Sequence, residues 1–248
     1  RTNTRTFYLE VNMLNDELLT EFAENFYGYG NYRAPYWFLG MEEGGGNSVD
    51  EINLRFSAWA DRGKNELEDV AEYHCAIGIP ELFSGKPKLQ NTWNRQIRVL
   101  FGLKNQVIET EFVRNYQRDS WGRNDSDNCI LELFPLPSPS TGDWIYGKES
   151  FLLTLRNRDI YRETYLPNRI EHIQKRVEEY NPKVVFIFGI TYVPYWEKLV
   201  GVSFFENSGL LQTTVGKTKF VVLQHPVAHG VTNEYFYNAG QVVAKSLV

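Results

Sequence analysis

The segment PNRIEHIQKRVEEYNPKVVFIFG does more than any other to limit what this chain can fold into. Ile170, Ile173 and Val177 recur at helical spacing, so its first part is a helix with one buried face. An Asn-Pro break ends that helix, and the run VVFIF follows at once with no polar alternation. A strand that is apolar on both faces must be covered on both, as a central strand of a parallel sheet is by its flanking helices.

Three further runs fit the same sheet. YWFLG is a short buried strand stopped by Gly40, and KTKFVVL is another that leads into HPVAHG. NCILELF is the third, and it ends near Leu133 because the prolines of PLPSPSTGD cannot continue a central strand. Helical patterns separate these runs. NDELLTEFAENFYG places Leu18, Leu19, Phe22 and Phe26 on one face, and LQNTWNRQIRVLFGL does so with Trp93, Ile97, Leu100 and Phe101. VPYWEKLVG reads as a short helix, and TNEYFYNAGQVVAKSLV as a closing helix capped by Thr232 or Asn233. GYGNYRAP reads as a turn-rich connector. The expected fold is a single α/β domain over residues 1–248, a three-layer α/β/α sandwich on a short four-stranded parallel sheet, with a helical insertion at about 51–125.

Composition narrows the partners. A net charge of −5 gives no overall attraction to nucleic acid, so such a partner would need a local basic face. Lys86, Lys88, Arg95 and Arg98, then Arg156, Arg158 and Arg162, interleaved with Trp93, Phe151 and Tyr161, are the residues that could make one. Mixed charges of this kind are also the ordinary texture of solvated helix faces. Two cysteines, Cys75 and Cys129, cannot build a disulfide framework or a four-thiolate cluster, and a reduced cytoplasmic protein is expected. No apolar stretch approaches the roughly 18 residues of a membrane span, and RTNTRTFYLEVNML has no apolar signal core.

In a parallel sheet of this kind the ligand site lies outside the carboxyl ends of the strands. The loops there are GMEEGGG, PLPSPSTGD, GITYVP and HPVAHGVTN. Taken singly each is ordinary: paired carboxylates at a strand end are usually solvated, and three glycines usually make a turn. No phosphate-binding motif of the form G-x-x-x-x-G-K-[ST] or G-x-G-x-x-G is present. Together they are more specific. A carboxylate after the first strand, a central strand ending in Gly189 and a His-Pro after the last strand resemble the uracil-DNA glycosylase superfamily. Gly40-Met41-Glu42-Glu43 stands where that superfamily has G-x-[D/N/A]-P, and His225-Pro226-Val227 where it has [H/N]-P-S. ELFSGKPKLQNTWNRQIRVLFGL resembles its F-x-G turn and leucine-rich helix, and CILELFPLPSP its second strand and proline loop.

The resemblance implies a strand order of 2-1-3-4 and hydrolysis of an N-glycosidic bond at a damaged or deaminated base in DNA. That chemistry passes through an oxocarbenium-like sugar. The resemblance gives Glu42 the sugar cation or the attacking water, and His225 the negative charge on the departing base. Phe83 is the implied stacking ring, with Phe56 in reserve, and Glu132 reads the base edge. Gly40, Met41, Glu43 and Gly189 complete the base pocket. Ser138, Ser140, Thr141, His229, Gly230 and Thr232 are placed for DNA phosphate, the last two beside a helix N-terminus that favours anions. An ionised Glu132 accepts hydrogen bonds but donates none, which suits the amino group of cytosine or adenine better than uracil. His229 also stands where the family has an apolar wedge.

No cofactor and no metal are expected. His225 and His229 are four apart, but Pro226 lies between them and the segment is a loop, so a helical ligand pair is not formed. The expected protein is a monomer that takes single- or double-stranded DNA, extruding the base into its pocket. Two other classes remain open: an enzyme acting on free nucleosides or nucleotides, and a non-catalytic binding module on the same fold.

Overall fold

In the computed structural model, which describes residues 13–140 and 142–247, the apolar runs form one mixed sheet. The first part of the chain gives α1 (Asp16–Asn25), β1 (Gly28–Gly30) and β2 (Tyr36–Glu42). A mainly helical stretch follows: α2 (Val49–Asp61), β3 (Leu67–Glu68), α3 (Val70–Ala76), α4 (Asn91–Leu103) and α5 (Thr110–Asp119). Next come β4 (Asn128–Phe134), α6 (Tyr146–Glu149), α7 (Arg158–Tyr180), β5 (Val184–Phe188) and α8 (Val193–Val200). The chain closes with β6 (Phe205–Asn207), β7 (Leu210–Val215), β8 (Thr218–Leu223) and α9 (Asn233–Lys245).

The sheet departs from the expected four-stranded parallel one. Among the described residues it has eight strands in the order β3-β1-β4-β2-β5-β8-β7-β6. Its centre, β4-β2-β5-β8, is parallel throughout, whereas β1 pairs with β4, β7 with β8 and β6 with β7 antiparallel. The added strands flank that centre on both sides, and β1, β3 and β6 are only two or three residues long, too short to show as apolar runs. β6 is exposed along its length, and β7 alternates inward Leu210 and Gln212 with more exposed neighbours. By contrast all of β5 is buried, as its composition requires.

α4 and α9 pack backbone to backbone beside this sheet. A Cβ on Gly102 would lie 2.0 Å from the Tyr237 carbonyl oxygen, and one on Gly240 would lie 2.1 Å from that of Val99. Glycine costs a helix interior about 1 kcal/mol relative to alanine. Close approach therefore outweighs propensity at these two positions. We expect Gly240→Ala to lower stability by about 2 kcal/mol through overpacking, the reverse of what helix propensity alone predicts. A thermal melt followed by circular dichroism reads the sign directly.

Candidate active site

β2 delivers its last residue, Glu42, to a loop that the glycines allow to turn sharply. Gly45 and Gly46 have φ of +108° and +74°, a region that disfavours side chains. A Cβ at Gly45 would meet Arg55 Nη2 at 2.6 Å, and one at Gly46 would meet the Pro137 carbonyl oxygen at the same distance. The loop ends at a helix N-cap: Ser48 Oγ accepts the Glu51 N–H at 3.2 Å. Glu51 turns back to accept the Gly46 and Asn47 N–H groups, each at 2.9 Å. Burial pushes its carboxyl upward, but the Gly46 and Asn47 hydrogen bonds with Arg55 carry it down to about 2. The glycine loop is thus an anion cradle already filled by the chain's own carboxylate.

Beyond the carboxyl ends of the central strands lies a cavity of about 610 Å³. Gly40, Ile130, Glu132 and Phe188 come to it from the strands, and Glu42 and Glu43 from the end of β2. His74 of α3 with Trp93 and Gln96 of α4 make one wall. Ser138, Pro139 and Ser140 line it from one loop, and His225, Pro226 and Val227 from another. Gly40 pairs with Glu132 in the sheet and Glu42 with Phe134. Glu132 therefore sits one full side-chain repeat deeper along the strands than Glu42, roughly 7 Å.

Glu132 reaches the cavity because Gly40 has no side chain: a Cβ there would stand 2.2 Å from Glu132 Oε2. That oxygen is buried and has no hydrogen-bond partner among the described residues. Burial, then the charges of Glu43 and Glu42, hold its carboxyl far above the usual range, and Arg169 only partly opposes them. Glu132 is consequently a neutral acid, one O–H donor beside one carbonyl acceptor, and not the acceptor-only carboxylate read from the sequence.

Glu42 is fixed by two arginines. Arg162 donates to its Oε1 through Nη2 at 2.6 Å and Nε at 3.0 Å, and Arg158 donates to Oε2. Arg158 also holds Ser138 Oγ at 2.8 Å and the carbonyls of Ser140 and Asp143 at 2.9 and 2.6 Å, tying the proline loop to β2. With both oxygens so engaged, Glu42 is held in one position at the end of β2. Glu43 accepts the Tyr29 hydroxyl at 2.6 Å and Arg55 Nη1 at 3.3 Å, and Arg55 bridges onward to Glu51 at 3.2 Å.

The two cavity histidines are complementary. His74 Nδ1 donates to the Val70 carbonyl at 2.7 Å, which leaves Nε2 as an acceptor. Burial lowers its pKa to about 4 against the pull of that carbonyl, so the ring is neutral. Tyr29, Phe83 and Trp93 rings hold it in place at 5.7, 5.5 and 5.3 Å. His225 is the reverse. Its Nδ1 accepts the Val227 N–H at 3.3 Å, desolvation lowers its pKa, and the neutral ring carries its proton on Nε2. Arg95 fastens this loop by donating to the carbonyls of Pro226 and, at 2.8 Å, Val231.

Other residues singled out from the sequence lie elsewhere. Phe83 is not on the cavity surface; it packs on His74 and Trp93, which are, and Trp93 offers the ring. Phe56 is fully buried against Phe22. Gly189 makes the turn after β5, donating to the Leu223 carbonyl at 2.9 Å, while Tyr192 just beyond it lines the cavity. His229 and Gly230 are exposed on the last loop away from the lining, and Thr232 caps α9 by accepting the Tyr235 N–H at 3.2 Å. Thr141 lies outside the described residues. Of the basic residues, Arg95, Arg98, Arg158 and Arg162 are all engaged internally, and Lys86 pairs with Glu111 at 3.5 Å. His74 and Gln96 were not anticipated. Gln96 had a signal, being a polar residue set between Trp93 and Leu100 on an apolar helix face.

Among the described residues no group of three or more His, Cys, Asp or Glu side chains is placed to hold a metal ion, and no helix is long and apolar enough to cross a membrane. No protein-family model matches the chain, and no curated protein matches it.

Proposed function

We propose that the protein hydrolyses an N-glycosidic bond, with a nucleobase seated in the cavity and its sugar at the mouth. The observation that carries this is the ordering of the polar groups by depth. Glu132, a neutral acid, lies at the deep end, and the carboxylates Glu42 and Glu43 lie one repeat nearer the opening. Cleavage of the C1′–N bond leaves its electron pair on the base and positive charge on the sugar. Neutral donors suit the first: Glu132 O–H for the base edge and His225 Nε2–H for the developing charge. Fixed carboxylates suit the second. Water then adds to C1′, so that the sugar gains hydroxyl and the base gains the proton.

The resemblance to uracil-DNA glycosylases favours a damaged or deaminated base in DNA as substrate. A free nucleoside is the second reading, favoured by the internal engagement of Arg95, Arg98, Arg158 and Arg162, which leaves few cations at the mouth for a phosphate backbone. The test is base release, followed chromatographically, from single- and double-stranded oligonucleotides carrying uracil, hypoxanthine, xanthine or mismatched thymine, beside the corresponding nucleosides. His225→Ala is expected to slow release about a hundredfold, the usual effect of losing one charge-stabilising donor. Glu42→Gln should slow it as well. Absence of release from every substrate at low salt would discard hydrolysis in favour of a binding module.

A further inference from the structure

Among the described residues, two cavity-lining side chains carry a buried polar atom with no partner: Gln96 Oε1 and Glu132 Oε2. Gln96 is 2% exposed, on α4, and Glu132 comes from β4. A third group stands with them. His74, 4% exposed, spends Nδ1 on Val70 and has no described partner for Nε2. Buried polar groups are rarely left unpaired, because each orphan carries a desolvation cost. Gln96 Oε1 and Glu132 Oε2, orphans from two separate elements, and His74 Nε2 on the same cavity are groups that a ligand could pair.

Their chemistry can be counted. Gln96 Oε1 and the lone pair of His74 Nε2 accept only, and each needs a donor from the ligand. Glu132 as a neutral acid donates one hydrogen bond and accepts one. The complement is a ligand edge with one acceptor and three N–H donors. Uracil joined to a sugar offers one N–H, as does hypoxanthine, and adenine and cytosine offer two on their amino groups. Guanine offers three: N1–H and both protons of its 2-amino group, next to the O6 acceptor.

We infer that the deep end of the cavity, formed by Gln96, Glu132 and His74, is a subsite for a 2-amino-6-oxopurine, that is, a guanine-type base. The carbonyl and N1–H meet the Glu132 acid, and the amino protons meet Gln96 and His74. Substitution at purine positions 7 and 8 leaves this edge untouched, so guanines altered there belong to the same class. Trp93 in the same wall supplies a flat apolar face for the purine. This inference rests on reading the cavity as a nucleobase site, but it does not require hydrolysis.

The test separates the two by using ligands with no glycosidic bond to break. Binding of 9-methylguanine, 9-methylhypoxanthine, 9-methyladenine and 1-methyluracil to the wild-type protein is measured at pH 7 through tryptophan fluorescence. 9-Methylguanine is expected to bind at least tenfold more tightly than 9-methylhypoxanthine, which lacks only the 2-amino group. Gln96→Leu should reduce that ratio toward one, with a thermal melt confirming that the variant is folded. Equal or tighter binding of 9-methylhypoxanthine or 1-methyluracil, or binding of none of the four, overturns the inference. Base release from other substrates without guanine preference here would keep the hydrolase and discard this subsite. Guanine preference without base release would do the opposite.

Discussion

Replacing Arg169 with methionine is expected to lower the melting temperature by roughly 10 °C. Arg169 is 1% exposed, and its hydrogen bonds among the described residues go to backbone oxygens and not to a carboxylate. Its guanidinium is spent on backbone oxygens: Nε on Leu133 at 2.9 Å, Nη2 on Glu132 at 2.8 Å and Nη1 on Phe26 at 2.6 Å. Its Cζ lies 3.6 Å from the centre of the Tyr27 ring. Phe26 caps the C-terminal end of α1, where carbonyls lack helical partners and favour a cation. Glu132 and Leu133 belong to β4, so one side chain from α7 ties a helix end to the strand that carries the deep acid. Methionine fills much of the volume but satisfies none of these carbonyls. Each buried orphan costs about 1–3 kcal/mol, and a total near 4 kcal/mol follows. Arg169→Lys should recover little of it, because all three ammonium donors sit on one nitrogen, whereas the guanidinium meets its acceptors through three nitrogens spread over its plane. A shift below about 2 °C in the methionine variant would mean that water or a rearranged backbone takes over these carbonyls.

The same residue shows why some of this structure was legible in the sequence and some was not. α7 and β5 were plain, because helical periodicity and an unbroken apolar run are local signals. That the helix also carries Arg169 inward was not, since an arginine on an amphipathic helix reads as solvated. β1 was read as a turn because it is Gly-Tyr-Gly. Its glycines instead let the strand press onto β4, where a Cβ on Gly28 would lie 2.0 Å from the Ile130 carbonyl oxygen. In the site, Glu42, Glu43 and His225 stood out because they follow strands, where parallel sheets place ligands. Their partners did not. Arg158 and Arg162 are more than 100 residues from Glu42 along the chain, and only the fold shows that they occupy both of its oxygens. His74 sits on a helix of the insertion with no local sign of facing inward, and Gln96 had only its place between Trp93 and Leu100 on an apolar helix face.

Glu132→Gln is expected to stabilise the protein, and by more as the pH rises. The wild-type carboxyl is held far above its ordinary range by burial and by Glu43 and Glu42. Below the ordinary carboxylate pKa, folded and unfolded chains both carry the proton and the residue has no effect on stability. Above it the unfolded chain releases the proton while the folded chain keeps it, so unfolding gains about 1.4 kcal/mol per pH unit until the folded group ionises too. Glutamine has the shape of the neutral acid and cannot ionise, so the variant escapes this loss. Glu51, Glu66, Asp69 and Asp127 have carboxyls shifted the other way and gain stability as pH rises through the acid range. They are common to both proteins and cancel in the difference. At pH 4 the two should melt within about 2 °C of each other, and the variant should pull ahead by roughly 4 °C per pH unit toward pH 7. A difference that stays flat or falls with pH would mean that Glu132 is ionised in the folded protein. The acid then has no proton to donate, and both the seating of a base carbonyl and the guanine-type edge would have to be abandoned with it.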